Sequence, residues 1–222
     1  MPDTNSSKKI AIITGSTRAV RIGPSVTKFV TSVFESNPST KFEFSTVDIA
    51  SFNLPVFDEA VVPASVPFAA QFAHSHSIAW SAEIAKYDGY VLITACYNQG
   101  PPGGIKNAID YLYNEIKGKP FLIISYGMEG GEKASDSLAV SLKSMHTVVM
   151  ETRPMLSLAK NEPFEFGMPL DLRLAATGKL GDDTLKAWEE KKKEILKGFG
   201  ELKQFLEKGG EVKAAESVTG TA

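Results

Sequence analysis

The chain has 222 residues, a mass of 24.0 kDa and a formal net charge of −2 at pH 7. Hydrophobic residues make up 43% and charged residues 23%, which is typical of a globular domain, and the small net charge gives no basic field for nucleic acid or an anionic membrane. Cys96 is the single cysteine, which excludes an internal disulfide and a cysteine-based metal cage. With no signal-like or membrane-length apolar run, we expect a cytoplasmic protein.

Buried strands and amphipathic helices alternate along the first two thirds of the chain. Short apolar runs over residues 9–14, 89–95 and 120–125 are typical of strands buried on both faces. Weaker patterns predict a second strand that ends near Asp48 and a fifth strand over residues 147–150. Apolar spacing predicts helices over residues 24–35, 68–86, 105–117 and from Gly131 to about Ser144.

This order predicts one parallel sheet with helices on both faces, formed by residues 9–153. Flavodoxin-like and Rossmann-like windings both satisfy the pattern, so the loops that follow the strands must decide between them.

The chain beyond Arg153 forms a C-terminal extension over residues 154–208. A helix is predicted over residues 182–208, because apolar residues recur there at alternating three- and four-residue steps. The stripe suits either an oligomerisation helix or a helix that packs on its own domain, and the second is favoured because the run falls short of four clean heptads. Residues 1–8 and 209–222 are predicted to be disordered.

The loop from Gly15 to Gly23 follows the first strand and opens the first helix, so its backbone N–H groups and the helix dipole favour an anion. It lacks the lysine of a P-loop and the glycine spacing of a dinucleotide loop. A pocket for a terminal monophosphate remains, with a solvated surface loop as the alternative. Its candidate donors are the hydroxyl groups and guanidinium groups of Ser16, Thr17, Arg18 and Arg21.

Two further loops leave the same predicted sheet edge. The second contains Tyr97, which can provide an aromatic wall, and Asn98 and Gln99, which can bond the edge of a heterocycle. The third contains Tyr126 and Gly127, where the absence of a Cβ lets the backbone approach a ligand. Turn formation alone would explain either loop, but their convergence on one edge favours a ligand site.

These motifs, in this order and over residues 9–153, resemble the NADPH-dependent FMN reductase family. The resemblance rests on Gly15-Ser16-Thr17-Arg18 with Arg21, on Tyr97-Asn98 followed by Pro102-Gly103-Gly104, and on Ser125-Tyr126-Gly127. It implies a flavodoxin-like, doubly wound, five-stranded parallel sheet of order 2-1-3-4-5. Ala95-Cys96 departs from the family, which often has Pro-Glu before the Tyr-Asn pair.

The same resemblance implies an FMN cofactor, NADPH or NADH as co-substrate, a small-molecule electron acceptor and a homodimer. It places Ser16, Arg18 and Arg21 on the FMN phosphate. Tyr97, Asn98, Gln99 and Gly100 would lie beside the isoalloxazine and ribityl chain, and Ser125, Tyr126 and Gly127 near the far edge of the flavin.

We therefore predict an NAD(P)H-dependent reductase that passes hydride through FMN to a quinone, a flavin or a similar acceptor. One alternative is a redox-sensing protein that gates a partner through the C-terminal stripe; another is an enzyme that binds a different nucleotide or a sugar phosphate. No catalytic triad or metal site is predicted. His74 and His76, two apart in a predicted helix, are expected to point to different faces.

Overall fold

A computed structural model describes residues 7–37, 41–66, 71–161 and 167–209. The strands are β1 Lys8–Thr14, β2 Phe42–Asp48, β3 Gly89–Ala95, β4 Pro120–Gly127, β5 Val148–Val149 and β6 Met155–Ser157. Over the described ranges they form one parallel sheet of order β2-β1-β3-β4-β5, with β6 also paired to β4. The predicted flavodoxin-like winding is therefore confirmed.

Helices cover both faces of the sheet. The helices are α1 Gly23–Glu35, α2 Ser75–Ala85, α3 Gly103–Asp110, α4 Glu132–Ser144, α5 Leu170–Ala176, α6 Asp182–Glu189 and α7 Lys192–Glu207. Helices α1, α6 and α7 pack on one face, and helices α2, α3 and α4 pack on the other.

The central strands are buried on both sides because their side chains alternate between two apolar cores. In β3, Val91 and Ile93 face the core that contains α1, whereas Tyr90 and Leu92 face the core that contains α3. This arrangement explains why these strands are nearly continuous apolar runs in the sequence.

The fifth position of the sheet differs from the prediction of one strand over residues 147–150. Val148–Val149 pairs with the start of β4, and Met155–Ser157 then pairs with its end. Glu201 of α7 holds the intervening chain, because its carboxylate accepts hydrogen bonds from the N–H of Thr152, at 2.9 Å, and from its hydroxyl group. The sheet thus continues beyond Arg153, into the extension.

Three predicted helices have different bounds in the structure. The second begins at Ser75, and the part of its prediction over residues 68–70 lies outside the described residues. The third ends at Asp110, where the chain enters turns instead of continuing to residue 117. The single helix over residues 182–208 is two helices, which separate at Glu190 and Lys191.

The apolar stripe of α6 and α7 packs on the chain's own sheet. Trp188, Ile195 and Leu202 are buried in the core, and the Phe199 ring lies 4.4 Å from that of Phe34. This burial confirms the favoured interpretation of the stripe and leaves the redox-sensing alternative without its partner surface. No helix in the described ranges is long and apolar enough to cross a bilayer.

Disorder was predicted for residues 1–8 and 209–222. Residues 1–6 and 210–222 lie outside the described residues, while Lys8 already belongs to β1.

Candidate functional site

The three predicted loops meet at the carboxyl edge of the sheet, where β1, β3 and β4 lie side by side. The Gly15 N–H donates to the Ile93 carbonyl at 2.9 Å, which joins the first loop to β3. The Cys96 N–H donates to the Tyr126 carbonyl at 3.1 Å, which joins the second loop to the end of β4. The edge is therefore one surface with three loops fixed on it.

Gly23, at the start of α1, has no Cβ, and the small space that this leaves between Ser16, Tyr126 and the helix N-terminus is called the cradle below. A Cβ on Gly23 would overlap Ser16 Oγ and would lie 3.1 Å from Tyr126 Oη. Both hydroxyl oxygens are buried and have no hydrogen-bond partner among the described residues. No side chain caps α1 at Ile22, so the first N–H groups of the helix also lack a side-chain partner.

Arg21 lies partly buried beside this cradle. Its guanidinium donates to the Asp48 carboxylate at 2.9 and 2.6 Å, and also to the Ser16 carbonyl. The hydrogen bonds with Asp48 raise the pKa of Arg21, against the opposing effect of burial. Arg21 therefore joins the loop to the end of β2 and places a permanent positive charge next to Ser16.

Arg18 lies exposed on the same loop, and its guanidinium carbon is 3.5 Å from the centre of the Tyr97 ring. Such stacking is a favourable cation–π contact. Thr17 instead packs towards α3, where a Cβ on Gly104 would lie 2.6 Å from Thr17 Oγ1. The structure thus brings Arg18, but not Thr17, to the side of the loop that faces Tyr97.

The second loop is a tight turn. Tyr97 and Gly100 exchange backbone hydrogen bonds of 2.8 and 3.0 Å, and Asn98 and Gln99 between them have φ angles of 51° and 64°. Asparagine tolerates this left-handed conformation better than most residues, whereas glutamine is uncommon there. The turn leaves both amide side chains exposed at the edge.

The third loop is shaped by its own contacts. Ser125 Oγ donates to the Gly130 carbonyl at 2.8 Å, so this hydroxyl group fixes the loop. A Cβ on Gly127 would lie 3.5 Å from Cys96 Cβ, which shows how closely the second and third loops approach. Burial raises the pKa of Tyr126 to about 12, so its hydroxyl group remains protonated and can donate a hydrogen bond.

Two cavities lie beside these loops. One of about 390 Å³ is lined by Arg18, Arg21, Tyr97, Tyr126 and Gly127, together with apolar residues of α5. The other, of about 270 Å³, is lined by Asn98 and Gln99 and by the start of α4. Cys96 and Met128 line both cavities, so the cavities adjoin at the second and third loops.

This donor set fits the phosphate of FMN. A phosphate dianion needs several donors and positive charge, and the cradle offers two unpaired hydroxyl groups, an uncapped helix N-terminus and two guanidinium groups nearby. The protein thus has a flavodoxin-like fold with an edge whose donors fit a phosphate.

Comparison with known proteins places the chain in a family. Residues 8–161 match the model of the NADPH-dependent FMN reductase family, and the chain belongs to that family. An NAD(P)H-dependent FMN reductase of Nectria sp is 46% identical over 201 residues, which are 89% of this chain and 96% of the relative. A quinone reductase of Escherichia coli K12 is 30% identical over 152 residues, which are 65% of this chain and 75% of the relative.

Among solved structures, the flavoenzyme NAD(P)H:(acceptor) oxidoreductase FerB of Paracoccus denitrificans has the same fold. It aligns with a TM-score of 0.59 and 24% sequence identity, over 89% of this chain and 98% of FerB.

Three parts of the candidate site were not predicted from the sequence. The position of Asp48 could have been inferred, because β1 and β2 end at the same edge and Thr14 pairs with Asp48. The cradle role of Gly23 had no sequence signal beyond its place at a helix start. The cavity wall on α5 had none, because residues 154–181 show no regular pattern.

The expectation for the two neighbouring histidines is wrong. His74 precedes α2 instead of lying within it, and the rings of His74 and His76 stack at 5.3 Å with 7° between their planes. His76 Nε2 lies 2.9 Å from an Asp58 carboxylate oxygen, and Tyr111 donates to the same oxygen at 2.8 Å. The hydrogen bond with His76 contributes most to lowering the pKa of Asp58.

Proposed function

We propose that this protein uses FMN to transfer hydride equivalents from NADPH or NADH to a small-molecule acceptor such as a quinone or a flavin. The observation that carries the proposal is the cradle at Gly23, where two buried hydroxyl groups await partners beside the start of α1. Family membership supports it independently.

In this proposal the phosphate of FMN is held by Ser16, Arg18, Tyr126 and the first N–H groups of α1. Arg21 is assigned to the same set, whereas Thr17, which the sequence also suggested, packs towards α3. Arg21 also positions the loop through Asp48 while its charge favours the dianion. Each charge-assisted hydrogen bond in such a site contributes roughly 1.5–3 kcal/mol.

The flavin ring is proposed to lie beside the turn Tyr97-Asn98-Gln99-Gly100 and against Ser125, Gly127 and the backbone of Tyr126, whose hydroxyl group is assigned to the phosphate. The exposed amides of Asn98 and Gln99 can hydrogen-bond the edge of a heterocycle. Ser125 contributes indirectly, because its hydroxyl group holds the Gly130 carbonyl and so sets the shape of the third loop.

Bound FMN supplies the redox chemistry, which explains why no general base is needed among the loop residues. In the overall reaction NAD(P)H loses two electrons and a proton, and a quinone gains them with a second proton from solvent. The chain's own task is to bind, orient and shield. The apolar cavity beside Tyr97 and Tyr126 can exclude water from the reacting groups.

We also propose that the protein forms a homodimer and that it works in the cytoplasm, which is a reducing compartment. Three exposed valines in one loop support self-association: Val56 is 86%, Val61 51% and Val62 61% exposed. The lone Cys96 is consistent with a compartment in which disulfides are rare. Light scattering of wild type and Val56→Lys tests the dimer, which the lysine variant is expected to weaken.

The visible spectrum of the purified protein tests the proposed function. We expect yellow protein with FMN bound, rapid bleaching on addition of NADPH or NADH, and steady turnover when a quinone is added. Protein that is colourless and cannot be reconstituted with FMN would contradict the proposal. Bleaching without turnover on any acceptor would favour the redox-sensing alternative.

A further inference from the structure

Helix α5 forms an apolar wall of the larger cavity. Met168, Leu172, Ala175 and Ala176 line this cavity of about 390 Å³, together with Arg18 and Tyr97 of the first and second loops. Just after the helix, a Cβ on Gly178 would lie 3.5 Å from the Arg21 carbonyl oxygen. The end of α5 therefore packs beside the loop that we assign to the phosphate.

A buried carboxylate holds α5 in this position. Asp171 is only 2% exposed, and its two oxygens accept hydrogen bonds from the Asn161 amide at 3.0 Å and from the Thr184 N–H at 2.7 Å. In return, the Asp171 N–H donates to the Asn161 side chain at 3.1 Å. A Cβ on Gly181 would overlap the carboxylate, so the chain passes close beside it. Asp171 is thus a positioning residue for the wall.

The wall lies outside the part of the chain that defines the family. The family match ends at residue 161, whereas α5 spans Leu170–Ala176. The loops assigned to the cofactor all lie within the match. The structure therefore assembles the cavity from a family part and from a separate C-terminal part.

The chemistry of the wall determines what it can contact. Leu172, Ala175 and Ala176 of α5 present only hydrocarbon groups, and Met168, just before the helix, adds a thioether. Leu158 and Met128 extend this apolar surface. Arg18 and Arg21 also line the cavity, but we assign them to the FMN phosphate. With FMN bound, a charged ligand would therefore lose hydration against the wall without gaining a partner, whereas a flat uncharged ring would bury apolar area.

We propose that Met168 and Leu172 are specificity-determining residues that favour flat, uncharged, apolar electron acceptors over charged ones. The inference rests on the proposed FMN-dependent function and adds to it the element that selects the acceptor. The acceptor ring is assigned to the α5 side of the cavity, and the flavin to the side of the second and third loops.

The test compares two acceptors on FMN-loaded protein. One is an uncharged naphthoquinone, and the other is ferricyanide, a small anion that takes one electron per ion, two ions per turnover. Leu172→Glu is expected to lower kcat/KM for the quinone roughly tenfold, because a carboxylate is placed in an apolar site. FMN content is expected to stay close to wild type, and turnover of ferricyanide is expected to fall less than turnover of the quinone, because ferricyanide buries no apolar ring against the wall.

Leu174→Glu is the matched control, since Leu174 lies on the same helix but does not line the cavity. It is expected to leave the ratio of the two activities unchanged. Met168→Glu is the second test variant. The Met168 side chain is 39% exposed, so this change tests the wall even where Leu172→Glu prevents folding.

The inference alone would be overturned if wild-type protein turns over both acceptors but the Glu variants fail to lower the preference for the quinone. Such a failure would be an unchanged preference, an equal loss of activity with both acceptors, or loss of FMN. An equal effect of Leu174→Glu would also overturn it. Wild-type protein that never binds FMN would instead overturn the proposed function, which the spectrum shows before any variant is made.

Discussion

Arg21 and Asp48 form a two-pronged ion pair, with Nη1–Oδ1 and Nη2–Oδ2 distances of 2.9 and 2.6 Å. Because Asp48 ends β2 and Arg21 belongs to the loop after β1, the pair fixes the proposed phosphate loop to its neighbouring strand. Its two side chains are 15% and 33% exposed, so solvent screens it only in part.

Asp48→Asn should loosen this loop. The free energy of unfolding is expected to fall by about 1 kcal/mol, and FMN affinity to fall with it, because the charge of the pair is lost while the shape is kept. Denaturant unfolding and a flavin titration measure the two effects. Asp110→Asn is the control, because both side chains of the Asp110–Lys106 ion pair are exposed and the pair should contribute little to the free energy of unfolding.

Gly23→Ala should fill the cradle. The added Cβ would overlap Ser16 Oγ, and we expect a loss of roughly 1–3 kcal/mol in stability together with weaker FMN binding. Gly103→Ala at the start of α3 is the matched control, because its Cβ would meet nothing within 4 Å. Equal FMN affinities for the two variants would show that no ligand group enters the space at Gly23.

Tyr126→Phe should separate stability from binding. Without FMN, removing a buried hydroxyl group that has no partner should leave the free energy of unfolding unchanged or raise it. FMN affinity should fall about fivefold if this group bonds the phosphate. Tyr90→Phe should lower the free energy of unfolding and leave FMN affinity unchanged, because the Tyr90 hydroxyl group donates to the Ile84 carbonyl at 2.8 Å, far from the loops.

Wild-type protein and Tyr126→Phe together also test the raised pKa of Tyr126. The hydroxyl group titrates at about 12 in the folded protein, against about 10 for an unperturbed tyrosine. Folded protein thus keeps a proton that unfolded protein loses, so the stabilising effect is complete below pH 10 and is lost as the pH rises towards 12. Between about pH 9 and 11, wild type should lose roughly 1 kcal/mol more stability than Tyr126→Phe. Parallel pH profiles would contradict the assignment.

Arg18→Ala should weaken FMN binding by roughly 10- to 100-fold, the value of a charge-assisted phosphate contact. Stability should change little, because Arg18 is exposed. Arg18→Lys should give an intermediate affinity, since it keeps the charge but loses the planar fork and the stacking on Tyr97. A flavin titration that gives equal dissociation constants for all three proteins would remove Arg18 from the site.

The sheet and the three loops at its carboxyl edge could be predicted because the local sequence pattern alone indicates them. Doubly buried strands such as Gly89–Ala95 are apolar throughout, and the loops follow them directly. Helix ends were harder, because tertiary contacts outweigh propensity there. After Asp110 the chain turns so that Glu115 can accept from the Ser81 hydroxyl group and from the Tyr113 N–H, a pairing that no local pattern announces.

The contacts that complete the site join distant parts of the chain. Asp48 reaches Arg21 across 27 residues, and Asn161 reaches Asp171 and Asp183 through a segment without periodicity. Such contacts depend on the finished topology, so the cavity wall on α5 could be found only from the structure.

The packing of Phe199 has a consequence for biosynthesis. Its ring contacts those of Phe34, Phe42 and Phe44, which enter the chain more than 150 residues earlier. Until the ribosome has released the residues around Leu202, these rings have no cover on that face. A nascent chain or a fragment that stops before α7 would thus expose an aromatic surface that is prone to aggregation.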